Sequence, residues 1–365
     1  MAYRHEVRRD VIRDVTKYLP LQDYIRFGAI HPSWSAVAKA RYRLPGIPLL
    51  IANDDNPRGN PRLFNVFSQK SYPLDLPDGY HCCGSSRGWL LIMDLSLKMC
   101  LWNPFSKTQI ELPTFLSSES ECRRYESLVR DTKQADDPTD VILRERLVAR
   151  VVLSADPERC SDFVIMVIGF CASELKFWRL GDSSWTHIPN VWFLDVIWYN
   201  GAFHGLSTQK EVFMVCLTPK LELKKVAYYR NPFPCNVRYL VDCMGDLLIV
   251  ERNTNQTYTM HTYTSSFLVY KLDKKRMVFK KVKSIGDHAL FLGRNPTIAI
   301  PANKFPGCLS DSIYFTDNDP FIYRIYRYED IGLYNMKNKI FEIFPPKHIC
   351  ITSRYQPLWL EACLQ

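Results

Sequence analysis

The fold of this chain is best predicted from residues 84–113, which read GSSRGWLLIMDLSLKMCLWNPFSKTQIELP. The glycine-flanked segment 84–88 is predicted to be a turn, and residues 89–95 form an apolar run of strand length. Two more short strands are predicted at 99–102 and 109–112, the last with alternating polar and apolar residues. Three short strands joined by tight turns cannot bury both of their faces, so this unit must stack against others of its kind.

Similar strand pairs recur along the rest of the chain. Residues 176–189 form one predicted hairpin, and residues 193–206 form another with Asn200-Gly201 at its turn. Residues 117–146 are of mixed charge and poor in aromatic residues, and they are predicted to be a surface insertion. The units recur at intervals of roughly 35 to 50 residues. We therefore predict a mainly β fold, with a β-propeller of about five to seven blades over residues 49–365.

Length and composition agree with one large β domain and one small second domain. The 365 residues are 47% hydrophobic and 13% aromatic, which allows a sizeable core of residues that favour strands. The net charge of +9 is spread over short basic pairs without a recognised binding motif, so no nucleic-acid partner is predicted. No apolar run approaches the ~20 residues needed to cross a bilayer, and no secretory pattern is present. We expect a protein of the cytoplasm and/or nucleus without a membrane partner.

No catalytic constellation emerges from the sequence. Residues 84–88 match G-x-S-x-G, but that motif requires a following helix, and an apolar strand is predicted instead. The 8 histidines form no H-E-x-x-H pair, the 12 cysteines form no C-x-x-C pair, and no phosphate loop is present. We predict that the protein is not an enzyme and has no catalytic, cofactor-binding or metal-binding residues. An active site in the channel of the propeller is an alternative that no set of acid, base and nucleophile supports.

The first 43 residues differ from the rest because their apolar residues repeat at helical spacing. Val11 and Val15 belong to a predicted amphipathic helix that ends at Pro20, and two further short helices follow. Residues 44–48 contain two prolines and a glycine and are predicted to be a linker. Three short helices bury little surface alone, so the module at 1–43 is predicted either to cap the β domain or to dock another protein.

Two segments of this module, residues 10–27 and 29–34, resemble an F-box. F-box proteins carry an apolar helix, then Leu-Pro-Leu-x-Asp, two apolar residues and Arg-Phe, and end in a Trp. Residues 19–23 (LPLQD) and Trp34 match that pattern without a gap. The resemblance implies docking on a Skp-type adaptor and, through it, on a cullin scaffold. The residues predicted to bind the adaptor by apolar burial are Val11, Ile12, Val15, Leu19, Pro20, Leu21, Tyr24, Ile25, Phe27, Ile30 and Trp34.

Three positions depart from the F-box pattern. The opening Leu-Pro is replaced by Val7-Arg8, an apolar position holds Asp14, and the usual Cys is His31. These positions fall on the face that family members use to bind the adaptor, so two hypotheses stay open. In the first, the module docks on the adaptor. In the second, the F-box is degenerate, and the protein is a propeller interaction module that is not part of a ubiquitin ligase.

The β region resembles the kelch-like propeller of plant F-box proteins, a domain of unknown function that follows an F-box in that group. The resemblance rests on residues 84–90 together with 101–105, and then on 286–293, 306–317 and 332–335 in the same order. It implies a substrate-recognition subunit of an SCF-type ubiquitin ligase. Its propeller would bind a target protein that the sequence does not identify.

Overall fold

The computed structural model describes residues 11, 47–52, 61–116, 119–132, 147–169, 174–231, 237–256, 262–316, 330–342, 344 and 357–362. Within these ranges the chain is mainly β, as predicted. The predicted three-helix module at 1–43 lies outside them except for Val11, which is helical. The predicted linker at 44–48 overlaps the first strand, because that strand already begins at Ile47.

The described ranges contain 25 strands, numbered in chain order, and the helix α1. Their bounds are β1 Ile47–Ala52, β2 Arg62–Asn65, β3 Lys70–Pro73, β4 His81–Ser86, β5 Trp89–Met93, β6 Met99–Trp102, β7 Gln109–Glu111, α1 Glu119–Thr132, β8 Val148–Leu153, β9 Val164–Gly169, β10 Leu175–Arg179, β11 Thr186–Ile188, β12 Phe193–Tyr199, β13 Ala202–Ser207, β14 Glu211–Cys216, β15 Glu222–Tyr228, β16 Val237–Cys243, β17 Asp246–Gln256, β18 Thr262–Asp273, β19 Val278–Val282, β20 His288–Leu292, β21 Ile298–Pro301, β22 Ser312–Phe315, β23 Gly332–Asn335, β24 Ile340–Glu342 and β25 Leu358–Ala362. A short 3-10 helix, Ala302–Lys304, follows β21.

These strands form five sheets. The largest has eight strands, but it consists of two four-stranded meanders joined by a single parallel pair between Tyr228 and Val278. The packing is therefore easiest to describe with six units, each a group of adjacent hydrogen-bonded strands. They are unit 1 (β25, β1, β2, β3), unit 2 (β4 to β7), unit 3 (β8 to β11), unit 4 (β12 to β15), unit 5 (β16 to β19) and unit 6 (β20 to β24).

Hydrophobic cores lie between consecutive units. Six buried clusters occur in the described ranges, and each takes its side chains from two neighbouring units. The cluster between units 6 and 1 closes the ring. There Phe291 stacks on Tyr314 with ring centroids 4.6 Å apart, and Phe291 meets Trp359 edge-on at 5.0 Å. Inner parts of the units are covered on both faces, and strands there, such as β5 (WLLIM), are buried along their whole length. The units therefore form a β-propeller.

The ring is also closed through the backbone. Strand β25 pairs with β1 in antiparallel orientation, with a register that runs from Ile47 opposite Ala362 to Ile51 opposite Leu358. The N-terminal and C-terminal strands of the propeller thus share one sheet. Strand β25 is not predicted from the sequence, because the five residues LWLEA have no turn or period beside them that marks them as part of the first unit.

The predicted turn at 84–88 is wrong in its extent. Gly84 lies within β4, and the turn is confined to Arg87 and Gly88, whose φ angles are +52° and +82°. A Cβ at Gly84 would lie 2.7 Å from Val151 Cγ1 of the neighbouring unit. Glycine at this position permits the close approach of units 2 and 3. Unit 2 has four strands, β4 to β7, instead of the three predicted.

The predicted insertion at 117–146 contains α1, which packs on unit 3. Lys176 of β10 forms an ion pair with Glu121 in the first turn of α1, and its Nζ donates to the Phe115 carbonyl oxygen at 3.2 Å. Tyr125 packs against the cluster between units 2 and 3. At least this part of the insertion is an ordered element attached to the propeller. Neither helix in the described part of the chain has the length and apolarity that a membrane crossing requires.

Candidate binding site at the propeller axis

One strand forms the inner edge of each unit. These strands are β25, β4, β8, β12, β16 and β21, and each contacts the next around the ring from β25 to β21. The C-terminal ends of β4, β8, β12, β16 and β25 meet around a single pocket, together with the residues before and within β21. We call this side of the propeller the pocket face.

A buried ion pair lies between the inner strands of units 3 and 4. Arg150 Nε of β8 is 2.6 Å from Asp195 Oδ1 of β12, and the two side chains are 4% and 0% exposed. Asp195 also accepts hydrogen bonds from the backbone N–H of Val196 at 2.8 Å and of Leu240 at 2.7 Å. Burial raises the pKa of Asp195 because the carboxylate has lost its water, while Arg150 and the two N–H groups oppose that shift. The pair therefore links units 3, 4 and 5.

Two arginines connect unit 3 with the opposite unit 6. Arg150 Nη1 donates to the Gly293 carbonyl oxygen at 2.8 Å and also to that of Asn295. Arg294 Nη2 returns a hydrogen bond to the Val148 carbonyl oxygen at 2.5 Å. These contacts cross the axis and obstruct it beneath the pocket.

Smaller polar side chains join the remaining inner strands. Ser85 Oγ donates to the Trp359 carbonyl oxygen at 2.5 Å, which links units 2 and 1. Ser86 Oγ accepts a hydrogen bond from the Leu153 N–H at 3.0 Å, which links units 2 and 3. Asn295 Oδ1 accepts one from the Trp359 N–H at 3.1 Å, which links units 6 and 1. Polar contacts thus hold the inner ends of the units together, where the axis leaves least room for apolar side chains.

The pocket has a volume of about 190 Å³. It is lined by Ser85, Ser86, Arg87, Val152, Leu153, Ile197, Trp198, Asp242, Asn295, Pro296, Thr297, Ile298, Ala299 and Glu361. Arg87 is held by a hydrogen bond from its Nε to the Leu153 carbonyl oxygen at 2.9 Å. Asp242 Oδ1 accepts a hydrogen bond from the Gly245 N–H at 2.8 Å. The wall therefore presents fixed charges of both signs.

Two further features of the wall bear on ligand binding. Thr297 Oγ1 is buried, and it has no hydrogen-bond partner among the described residues. Trp198 is half-buried, and its ring meets Phe203 edge-on at a centroid distance of 4.7 Å, which fixes the indole plane. The buried hydroxyl is out of reach of a ligand, whereas the indole offers a packed aromatic surface at the wall.

The residues predicted from the sequence to bind a partner are not the residues that line the pocket. Of the 11 predicted adaptor-binding residues, only Val11 is described, and it is 48% exposed. The other ten, from Ile12 to Trp34, lie outside the described ranges. The described residues contain no group of three or more His, Cys, Asp or Glu side chains placed to hold a metal ion. The inner-strand charges Arg150 and Asp195 were not predicted, although a charge within an apolar strand such as VARVVL is a signal for a buried partner.

Representative serine, histidine and cysteine side chains have structural contacts within the fold. Ser86, the serine of the G-x-S-x-G match, accepts the Leu153 N–H and is followed by strand β5. His288 Nδ1 lies 3.1 Å from the Ile285 carbonyl oxygen. Burial raises the pKa of the Cys100 thiol to about 12, so that group is protonated at neutral pH. Hydrogen bonding within the fold accounts for the positions of Ser86 and His288, and burial accounts for that of Cys100.

Comparison with solved structures gives only weak similarity. The crystal structure of BBS1N in complex with ARL6DN, soaked with mercury, matches with a TM-score of 0.36 and 11% identity, covering 84% of this chain and 79% of that one. Oligogalacturonate lyase in complex with manganese matches with a TM-score of 0.35 and 11% identity, covering 78% and 69%. Scores of this size carry no argument about function.

Relatives by sequence come from Arabidopsis thaliana. F-box protein At2g26160 is 32% identical over 170 residues, which cover 43% of this chain and 50% of that protein. Putative F-box protein At1g65770 is 26% identical over 321 residues, covering 80% of this chain and 83% of that protein. Putative F-box protein At2g04810 is 24% identical over 378 residues, covering 95% and 91%. The predicted relationship to plant F-box proteins is confirmed at this level.

The family profile described as the KIB1-4 beta-propeller matches residues 63–335, about three quarters of the chain. The matched segment runs from β2 to β23 and includes inner strands of units 2 to 6. The finer kelch-like assignment stays a prediction. With a mainly β ring of packed units and a matching profile over most of its length, the chain belongs to the KIB1-4 beta-propeller family.

Proposed function

We propose that this protein is the substrate-recognition subunit of an SCF-type ubiquitin ligase. The proposal is carried by one combination: a closed propeller that follows F-box-like sequence, in a chain whose relatives over most of its length are named F-box proteins. The N-terminal module would dock on a Skp-type adaptor and thereby reach a cullin scaffold. The propeller would bind the target protein. In this proposal the chain has no catalytic step of its own and works in the cytoplasm and/or nucleus.

The pocket face offers a surface suited to a protein target. Met244 follows the pocket-lining Asp242 at the turn after β16, and its side chain is 62% exposed. Met277 lies at the turn between β18 and β19 of the same unit and is also exposed. Exposed flexible apolar side chains beside a polar pocket are typical of surfaces that bind other proteins.

Co-purification with a Skp-type adaptor tests the proposal. The full chain is compared with a Leu21→Ala, Ile25→Ala double variant, which removes two predicted anchors of the adaptor contact. Truncating one central anchor costs about 2 kcal/mol or more, so recovery of the adaptor is expected to fall by more than about tenfold. A matched control, Leu95→Ala with Met244→Ala, removes two exposed apolar side chains of the propeller and is expected to keep the adaptor.

The degenerate-F-box hypothesis predicts the opposite outcome. If the intact chain recovers no adaptor, or if the double variant recovers as much as the intact chain, the protein is not an adaptor-bound receptor. That alternative is kept because the sequence departs from the F-box pattern at Val7-Arg8, Asp14 and His31. The relatives named as F-box proteins favour the first hypothesis.

A further inference from the structure

We propose that the axial pocket binds a small zwitterion of amino-acid size, which carries an ammonium group, a carboxylate and an apolar side chain. The inference goes beyond the proposed function and does not rest on it, because the pocket-lining residues that the structure describes all belong to the propeller. It would give the propeller a low-molecular-weight ligand at the centre of the face that carries Met244.

The charges on the pocket wall specify the ligand. The described pocket wall carries three charged side chains, Arg87, Asp242 and Glu361, and Arg87 forms no ion pair with either carboxylate within 4.0 Å. A ligand with a carboxylate facing Arg87 and an ammonium group facing Asp242 would pair both charges at once. An anion alone would leave Asp242 unpaired, and a cation alone would leave Arg87 unpaired. Hydrogen bonds to charged groups are the stronger ones, so a ligand of both signs is favoured.

The rest of the wall agrees with such a ligand. Val152, Ile197 and the indole of Trp198 form an apolar part of the wall, which suits an aliphatic or aromatic side chain. The volume of about 190 Å³ lies below the roughly 300–1,000 Å³ of pockets for drug-sized ligands. A single amino acid is the appropriate scale.

The pocket also has the rigidity that a specific site requires. The hydrogen bond from Arg87 Nε to Leu153, at 2.9 Å, sets the guanidinium in place. The Gly245 N–H sets the Asp242 carboxylate, and the edge contact with Phe203 sets the Trp198 ring. The side chains are therefore positioned before any ligand arrives, which reduces the entropy lost on binding.

Isothermal titration calorimetry on the full chain tests the proposal with defined probes. The probes are L-leucine and L-phenylalanine, each beside its N-acetyl derivative, which lacks the positive charge, and its amide, which lacks the negative charge. At least one free amino acid is expected to bind, and both blocked forms are expected to bind about tenfold more weakly or not at all. No binding of either free amino acid at millimolar concentration would overturn the proposal. Equal binding of one blocked form would show a site for a single charge and would also overturn it.

Variants locate the binding to the pocket. Asp242→Asn keeps the oxygen that accepts the Gly245 N–H but removes the charge, and it is expected to weaken binding about tenfold. Asp246→Asn, an exposed residue of β17 outside the pocket, is the matched control and is expected to bind as the parent does. If both variants bind equally well, the ligand is not in the axial pocket.

A spectroscopic readout separates binding from loss of folding. Binding beside the indole is expected to change the tryptophan fluorescence, and Trp198→Phe is expected to remove most of that change. Trp192→Phe replaces a tryptophan that is 65% exposed and does not line the pocket, so the change should persist there. A fluorescence change that survives Trp198→Phe would contradict the assignment. Adaptor binding is not measured in any of these experiments, so their failure would leave the proposed ligase function untouched.

Discussion

At the scale of single residues, burial decides which charges matter for stability. The ion pair of Arg150 and Asp195 is almost fully enclosed, whereas Lys271 and Asp246 form a pair whose side chains are 47% and 42% exposed. In water the exposed pair gains little, because solvent screens both charges. In the enclosed pair each charge depends on the other and on the backbone groups around it.

Replacing Asp195 by Asn is therefore expected to destabilise the protein strongly. The variant keeps the shape of the side chain but leaves the Arg150 charge buried without a counter-charge, which costs about 3–5 kcal/mol. Asp246→Asn is the control and is expected to cost about 0–1 kcal/mol. Urea-induced unfolding followed by fluorescence gives the comparison. Similar midpoints for the two variants would show that the buried pair adds no more to stability than the exposed one.

Part of this residue-scale picture could have been predicted from the sequence, although Arg150 and Asp195 were not. An aspartate within the apolar strand FLDVIWY and an arginine within VARVVL each indicate that a buried charge needs a partner. Which arginine meets which aspartate depends on the order of units around the ring. That order is a long-range property, and local patterns of apolar residues do not contain it.

At the scale of the strand and turn, glycines have two distinct roles. Asn200 and Gly201 both have positive φ, +48° and +78°, at the two-residue turn between β12 and β13, as the Asn-Gly pair predicts. Gly205 lies within β13, and a Cβ there would meet Phe193 Cδ1 and Cε1 at 2.5 Å. The first role can be predicted from neighbouring residues. The second depends on what packs against the strand, which is why Gly84 was assigned to a turn.

Gly205→Ala is expected to destabilise the propeller by about 1–3 kcal/mol, since the added methyl group forces the Phe193 ring out of its packed position. Adding Phe193→Leu should recover part of the loss, because the two sites are in contact and their effects are not additive. Gly169→Ala is the matched control in β9. A Cβ there would meet its nearest neighbour, Phe115 Cζ, at 3.5 Å, an ordinary contact distance. Thermal unfolding of these three variants and the parent gives the test. An equal loss for Gly169→Ala and Gly205→Ala would contradict the packing argument.

At the scale of the whole molecule, the apolar strand repeats predict a mainly β propeller, and the structure and the family profile confirm it. The closure of the ring could not be predicted, because β25 and β1 are separated by almost the whole chain. The contact that closes the ring, between units 6 and 1, is a cluster of large aromatic side chains. Trp359 of β25 is fully buried there, and its Nε1 donates to the Leu292 carbonyl oxygen at 3.1 Å.

Truncating Trp359 in this aromatic cluster should lower the stability of the entire propeller. Trp359→Ala is expected to cost about 3–5 kcal/mol, since it leaves a cavity between units 6 and 1 and removes one of the hydrogen bonds to the Leu292 carbonyl oxygen. Trp192→Ala removes the same side chain from an exposed position and is expected to stay within about 0.5 kcal/mol of the parent. Limited proteolysis at increasing temperature would distinguish them. Equal resistance would mean that the ring does not depend on this contact.

The pairing of β25 with β1 also determines from which side of the disc the preceding residues depart. Glu361 lines the pocket, and Pro48 lies directly opposite it in the neighbouring strand. The chain therefore enters the propeller at the rim of the pocket face. A molecule bound in the axial pocket would therefore lie on the side of the propeller from which the chain enters strand β1.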